Sequence, residues 1–281
     1  MKLWVNGAEM RPDAPAIAAL DRGFTLGDGL FETMRAQEGV IFRLDAHLDR
    51  LCAGARLLDI PLPGGLREHV ATAARGTGAY RNASVRLTVS RGAAPPGLAP
   101  PLIPQPTVAV AVHPIVRPRV PEPLVAAMAI GRRNEYARTA GVKTLAYTES
   151  VVALAQARAA GANDAVFLDT AGHVCDATAS NLFAVLDGTL VTPPRSCGVL
   201  PGITRTAVLE LARTLGIAAM EREIAEAELA LASEIFLTSS IREIAPVVRV
   251  AERAVGAGQL GHITVRLVEA YRALVRLECV S

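Results

Sequence analysis

Gly141-Val142-Lys143-Thr144-Leu145-Ala146-Tyr147 is the stretch on which the reading of this chain turns. Of 281 residues 29 are basic, yet only two are lysines: Lys2 at the start and Lys143 here. Arginine has taken nearly every other place a surface lysine would fill. An amine can lose its proton, attack a carbonyl and form a Schiff base, and a guanidinium cannot. Scarcity alone leaves a second account open, in which Lys143 merely survived an arginine-rich codon bias. Partners elsewhere in the chain decide between the two.

Three downstream stretches could supply such partners. In Val174-Cys175-Asp176-Ala177-Thr178-Ala179-Ser180-Asn181-Leu182-Phe183, an acid precedes a small polar loop and a strand-like run. A carboxylate facing a pyridine nitrogen keeps that nitrogen protonated, which strengthens an electron sink. Standing alone, Asp176 reads as a turn or capping residue. Leu200-Pro201-Gly202-Ile203-Thr204-Arg205 opens an amphipathic helix. Gly202 permits close backbone approach, and the amides and the Thr204 hydroxyl would point from a helix N-terminus, a natural phosphate seat. An ordinary Pro/Thr helix start uses the same residues. Finally, Glu234 to Pro246 runs a buried-looking strand into Thr238-Ser239-Ser240, whose hydroxyls and amides could close the other side of an anion site.

Working outward, Leu3 to Val5 before Asn6-Gly7 predicts a strand and hairpin turn, and Leu30–Arg35 with Val40–Arg43 predicts two strands about Gly39. Leu44 to Leu58 reads as a helix with Leu48, Leu51, Cys52, Ala55 and Leu58 on one face. That spacing puts Arg50 on the opposite, solvated side. Ser84–Ser90 alternates as a half-buried strand, and Thr107–Val112 is another. Four prolines between His113 and Pro123 make a stiff connector. Beyond it, strands (Leu124–Ile130, Asp164–Leu168, Asn181–Val185, Glu234–Thr238) alternate with helices (Glu149–Ala160, Thr204–Leu215, Ile263–Leu277). The expected organisation is an α/β (α+β) chain. A small N-terminal α/β domain spans 1–115, a linker 116–123 and a larger domain 124–281.

Composition narrows the function. Hydrophobic residues make up 51% and aromatics 4%, which suits an α/β enzyme. A net charge of +2 with mixed signs gives no support to a nucleic-acid or membrane-surface partner. Cys52, Cys175, Cys197 and Cys279 match neither zinc-site nor CxxC spacing, so no metal is expected and the thiols read as reduced. The start lacks an apolar signal segment, and no apolar run reaches the roughly 18–20 residues of a membrane span. A cytoplasmic protein is expected.

Taken in order, these pieces resemble the class-IV aminotransferase family of pyridoxal-phosphate enzymes, fold type IV. That family holds branched-chain and D-amino-acid aminotransferases, aminodeoxychorismate lyases and some amine transaminases. The resemblance runs from Asp21–Thr33 and Phe42–Leu51 through Val142–Tyr147, the Asp176 segment and Gly202–Arg205 to Thr238–Val247. It implies two α/β domains with pyridoxal 5'-phosphate in the cleft. Lys143 would form the Schiff base and move the substrate Cα proton. Asp176 aligns with the pyridine-nitrogen carboxylate, usually Glu, so one methylene of reach is lost. Arg50 aligns with the phosphate-binding arginine, against the helical spacing. Ile203, Thr204, Ser240 and Ile241 match the phosphate turns, and Tyr147 matches a tyrosine that contacts the cofactor's phenolic oxygen. At Tyr147 a helix-start packing role stays open.

Substrate choice falls, by the same resemblance, to Phe31 and Thr33, with Phe24 a further candidate and with Ser240 and Ile241 shared with the cofactor. Ser90–Pro100 lacks the Arg-x-His carboxylate trap of D-amino-acid aminotransferases and looks closer to the lyases, with Pro96 where their second arginine stands. Arg91 could still meet a carboxylate, and Arg132, Arg133 and Arg242 are further candidates read more simply as surface arginines. The expected reaction moves the amino group of a small α-amino acid, branched-chain or D-amino-acid type, to a 2-oxo acid. The alternative is aminodeoxychorismate lyase, releasing 4-aminobenzoate and pyruvate. A non-catalytic cofactor-binding paralogue is a third reading, which the retained Lys143 opposes. The resemblance also implies a homodimer.

Overall fold

The computed structural model describes residues 1–76, 80–116 and 120–279. Contacts divide the chain into two compact units. One holds residues 1–117 with Lys143–Ala146 and Val275–Ser281; the other holds 118–142 and 147–274. Lys143 therefore groups with the N-terminal residues, although it lies well past the proline-rich stretch. Residues 117–119 of the expected linker lie outside the described residues.

The first unit is built on one sheet. β1 (Lys2–Val5) and β2 (Ala8–Met10) are joined by Asn6 and Gly7, both at positive φ (49° and 84°). A short helix α1 (Arg22–Leu26) precedes the long β3 (Gly29–Gln37), which turns through Glu38 and Gly39, again both at positive φ, into β4 (Val40–Ile41). Such turns match the right-handed twist of the strands they join. Helices α2 (Leu44–Leu58) and α3 (Leu66–Arg75) follow, then β5 (Asn82–Ser90) and β6 (Thr107–Pro114). The order is β2-β1-β6-β5-β3-β4, with antiparallel neighbours.

Period-two alternation sorts the side chains. Leu30, Met34 and Ala36 of β3 are buried with Val85, Leu87 and Val89 of β5 and Val108, Val110 and Val112 of β6. Phe31 and Thr33 point to the opposite face. Glu32 sits on the apolar face, which a charge occupies only with partners. Neither α1 nor α3 was expected. The first is five residues long, and the second follows a Pro/Gly-rich stretch that masks its start.

The second unit carries nine strands. β7 (Leu124–Arg133) leads to α4 (Thr148–Ala159), β8 (Asp164–Asp169), β9 (Val174–Ala177), β10 (Asn181–Leu186) and β11 (Thr189–Thr192). Then come α5 (Ile203–Thr214), β12 (Ala219–Glu221), β13 (Glu234–Ser239), β14 (Glu243–Val250) and β15 (Arg253–Ala254). The last helix, α6 (His262–Glu278), runs to the end of the described chain.

The main order is β12-β11-β10-β13-β14-β7-β8-β9, and β9 also meets β10 through the pair Asp176–Asn181. Six strands thus form a closed circuit. All six contribute to one apolar cluster, including Ala126, Val166, Val174, Leu182, Leu237 and Val247. On the other face of β10 and β13, Phe183 and Phe236 stack at 5.0 Å.

Two details bear on the site. The β7–β8 register shifts between Met128 and Arg132, so the end of β7 departs from regular pairing where Arg132 and Arg133 stand. The Glu234 carboxylate caps α6 from a distant strand, accepting from the amides of Ile263 (2.9 Å) and Thr264 (2.7 Å). A side chain at Gly261 would overlap that carboxylate. Among the described residues no helix is long and apolar enough to cross a membrane.

Candidate active site

Lys143 is held by the edge of β3. The amide of Phe31 donates to the Lys143 carbonyl (3.0 Å), Leu145 donates to Gly29 (3.0 Å), and Thr144 bridges to Leu30. The side chain is thereby carried onto Phe31, with Nζ 4.3 Å from the ring centroid. Arg86 of β5, which faces Thr33 in register, places its guanidinium carbon 3.8 Å from the same ring. One buried aromatic ring therefore carries two cations, an arrangement favoured by the negative face of the ring. In the sequence Arg86 is one of the unremarked polar positions of the alternating strand Ser84–Ser90. Its register against Thr33 is the signal that would have found it.

On the other face of β3, Glu32 meets α2. Arg50 donates twice to it, Nε to Oε1 at 2.8 Å and a terminal nitrogen to Oε2 at 2.6 Å. His47 Nδ1 lies 2.7 Å from Oε2. Arg50 is thus not on a solvated face. The buried stripe of α2 is His47, Leu51, Gly54 and Ala55, with Arg50 only 11% exposed beside it. Helical spacing misplaces Arg50 because it takes polar residues as outward, whereas here Glu32 neutralises the guanidinium. Breaking one partner of such a buried pair costs roughly 3–5 kcal/mol.

Burial is the largest influence on Glu32 and would raise its pKa, but Arg50 and His47 outweigh it and hold the carboxyl below its ordinary value. Burial lowers the pKa of His47 and prevails over the pull of Glu32, with Arg50 and Lys143 adding to the lowering. Neutral His47 then donates from Nδ1 to Glu32; the tautomer is assigned from that contact. Both groups bind fewer protons folded than unfolded. Their stabilisation is complete above the ordinary histidine value of 6.5 and is lost as pH falls through it toward the lower folded values. Between about pH 7.5 and pH 5 the denaturation midpoint of the native protein should fall more steeply than that of His47→Asn. Parallel slopes would remove His47 from this account.

The expected carboxylate-binding arginines are elsewhere engaged. Arg91 is buried and turned inward. It donates to Asp28 (2.8 and 3.2 Å) and to the carbonyls of Leu58 and Asp59 (both 2.7 Å). Arg22 meets the same Asp28 at 2.7 Å. Two guanidiniums on one carboxylate fasten α1 to the Ser90–Gly92 corner, so Arg91 reads as scaffold. Burial would raise the Asp28 pKa, but the two arginines overcome it and hold it low. Phe24 is 79% exposed.

The second unit carries the remaining candidates. Asp176, at the end of β9, accepts from Arg133 Nε at 2.9 Å, and the Arg133 guanidinium lies 3.8 Å over Phe167. Arg133 also reaches Glu149 (3.3 Å) and Ser150 (3.1 Å). Burial works against the Arg133 charge, but Asp176 more than restores it. Arg133 is therefore no surface arginine. Arg132 donates to the Asp169 carbonyl. Tyr147 is the half-buried residue before α4.

Gly202 precedes α5 with no side-chain cap, which leaves first-turn amides at Ile203 and Thr204 for a ligand. The Thr204 hydroxyl is buried against Tyr271 at 3.5 Å, so the backbone, not the hydroxyl, is what that turn offers. Ser240 and Ile241 lie half-buried between β13 and β14. Beside them the buried Thr238 hydroxyl has no hydrogen-bond partner among the described residues. Burial pushes the Cys197 thiol up to about 12 and the Cys175 thiol higher still, so neither is a thiolate at neutral pH. No metal-binding cluster is present among the described residues.

The family profile described as amino-transferase class IV matches residues 29–250. The chain belongs to this family. It is 35% identical to a putative branched-chain-amino-acid aminotransferase of Methanocaldococcus jannaschii, over 97% of this chain and 96% of that one. It superposes on a branched-chain amino acid aminotransferase of Escherichia coli with a TM-score of 0.91 and 28% identity, covering 98% of this chain and 94% of the other. It also matches 4-amino-4-deoxychorismate lyase from Pseudomonas aeruginosa, with TM-score 0.84 and 34% identity over 96% and 98% of the two chains. Class IV aminotransferases use pyridoxal phosphate. The residues here fit such a group. Taken unit by unit, the first offers a half-buried amine of the kind an aldehyde takes; the second offers an uncapped helix start and an orphaned buried hydroxyl suited to a phosphate, and a largely buried carboxylate suited to a protonated nitrogen.

Proposed function

We propose that this class IV aminotransferase moves the amino group of a small, branched-chain-type α-amino acid to a 2-oxo acid. The observation that carries the reading is Lys143, the sole internal lysine, held over Phe31 beside Arg86. Full-length similarity to branched-chain enzymes supports it.

Bound pyridoxal phosphate would supply an electrophilic aldehyde and an electron sink. Lys143 would tether the aldehyde, then accept the substrate Cα proton and return it on the other side of the transfer. Asp176 would hold a proton on the ring nitrogen, with Arg133 keeping the shorter carboxylate oriented. Arg50, the amides of Ile203 and Thr204, and Ser240 and Ile241 would anchor the phosphate, and Tyr147 would meet the phenolic oxygen. Phe31 and Thr33 would present an apolar wall to the side chain. The carboxylate role passes from Arg91 to Arg86, which shares the Phe31 ring with the reacting amine.

A second copy is expected to complete the molecule. Phe24, Leu98, Leu102 and Ile103 are strongly exposed, and Arg22 holds the carbonyls of Gly97, Leu98 and Ala99 beside α1. Apolar exposure of this kind marks an association surface. Free thiols, three buried and Cys52 half-buried, suit the cytoplasm.

The lyase reading is favoured by the 34% identity to the Pseudomonas aeruginosa enzyme, alongside the lyase-like Ser90–Pro100 stretch. Incubation with branched-chain donors and 2-oxoglutarate or pyruvate should give keto acid and new amino acid. Aminodeoxychorismate without an acceptor should give no pyruvate. Pyruvate from the latter alone would transfer the assignment to the lyase.

A further inference from the structure

Asp164 begins β8 and is fully buried, a place where a carboxylate persists only with its oxygens satisfied. Its Oδ1 accepts from the amide of Ala165 (2.9 Å), the amide of Thr178 (3.2 Å) and the hydroxyl of Thr178 (2.6 Å). Its Oδ2 is paired with Arg242. The Arg242 side chain is 38% exposed, so it reaches inward from the surface to this one charge. Its amide also donates to Ser239 Oγ at 3.2 Å.

The two partners of Asp164 belong to two different loops. Thr178 lies two residues past Asp176, in the loop between β9 and β10. Arg242 directly follows Ser240 and Ile241, in the turn between β13 and β14. A pair of apolar side chains could join these loops with less desolvation, but it would set neither distance nor direction. A guanidinium N–H hydrogen-bonded to one oxygen of a carboxylate whose other oxygen is held by Thr178 sets both.

We infer that Asp164 is a positioning residue that locks the Asp176 loop and the Ser240–Ile241 turn to one another through Thr178 and Arg242. The inference rests on the reading that the loop serves the ring nitrogen and the turn serves the phosphate. One buried charge then fixes the spacing of two cofactor contacts. Arg242 thereby serves the geometry of the turn rather than standing free as a surface arginine.

The test compares binding of pyridoxal phosphate and of pyridoxal, which lacks the phosphate, to cofactor-stripped full-length protein by absorbance and tryptophan fluorescence. Arg242→Met should weaken pyridoxal phosphate about tenfold, the scale of one charge-assisted hydrogen bond, and leave pyridoxal nearly unchanged. Arg242→Lys should recover part of the preference. Asp164→Asn should weaken both ligands, and the double variant should bind no worse than the weaker single. A lowered melting temperature with an unchanged preference in Arg242→Met would make the pair merely structural and overturn the inference. If that variant does not fold, an unchanged preference in Arg242→Lys overturns it. Native protein that binds neither ligand would overturn the cofactor reading itself, and this inference with it.

Discussion

Lys143→Ala should lose transamination by at least ~10³-fold, since it removes both a covalent tether and the group that moves the Cα proton. The composition makes the experiment unusually clean. The only other lysine is Lys2, in β1, whose Nζ donates to the Gly76 carbonyl at 2.7 Å. Borohydride reduction of the holo-protein should therefore label one peptide, that containing Lys143. In the alanine variant the label should vanish while non-covalent cofactor binding persists, because the proposed phosphate contacts lie on other residues. The fold should be little affected, since the backbone hydrogen bonds that tie Lys143 and Leu145 to β3 survive the substitution. A label on Lys2, or turnover within tenfold of the native protein, would falsify the role of Lys143.

The elements that sequence predicts well are those whose apolar spacing is strong enough to set their bounds even where a charge is buried among it. Leu44–Leu58 is a helix over the expected span, and the strands from Asp164, Asn181 and Glu234 begin where expected. Lys143 stood out because lysine is rare. The arginines behaved oppositely, and for the same reason. In a chain with this many guanidiniums no single one carries a signal: Arg133 and Arg242 read most simply as surface arginines, and Arg86 as one polar position of a half-buried strand. Each is in fact fixed by a partner distant in sequence: Phe31, Asp176 and Asp164. Arg50 was misplaced on its helix because buried ion pairs defeat a rule that equates polar with exposed. Arg91 was the reverse error, a candidate ligand that Asp28 holds in the scaffold. Nor could sequence order indicate that Lys143–Ala146 packs with the N-terminal unit, since that depends on a pairing with β3 across more than a hundred residues.

The Asp176–Arg133 pair leads to the second large expectation. Asp176→Asn should lower the rate of Cα-proton removal by roughly 10²- to 10³-fold while weakening cofactor binding less than tenfold. The neutral amide nearly preserves shape, so what changes is charge. One unit charge about 4 Å away, at the effective dielectric of a partly buried site, is worth roughly 4 kcal/mol. About 1.4 kcal/mol corresponds to a factor of ten, which sets the upper end of the range. Arg133 makes the loss worse than a simple deletion. It also lies over Phe167 and reaches Glu149 and Ser150, so in the variant the cation remains without the carboxylate nearest it. A proton on the ring nitrogen would then face a positive neighbour in place of a neutral pair. Arg133→Met in the Asn background should accordingly restore part of the lost rate, although Arg133→Met alone should impair it by releasing the carboxylate. Stopped-flow measurement of deuterium-sensitive proton removal in the four proteins tests this. If the double variant is slower than Asp176→Asn, Arg133 does not act through the charge at residue 176.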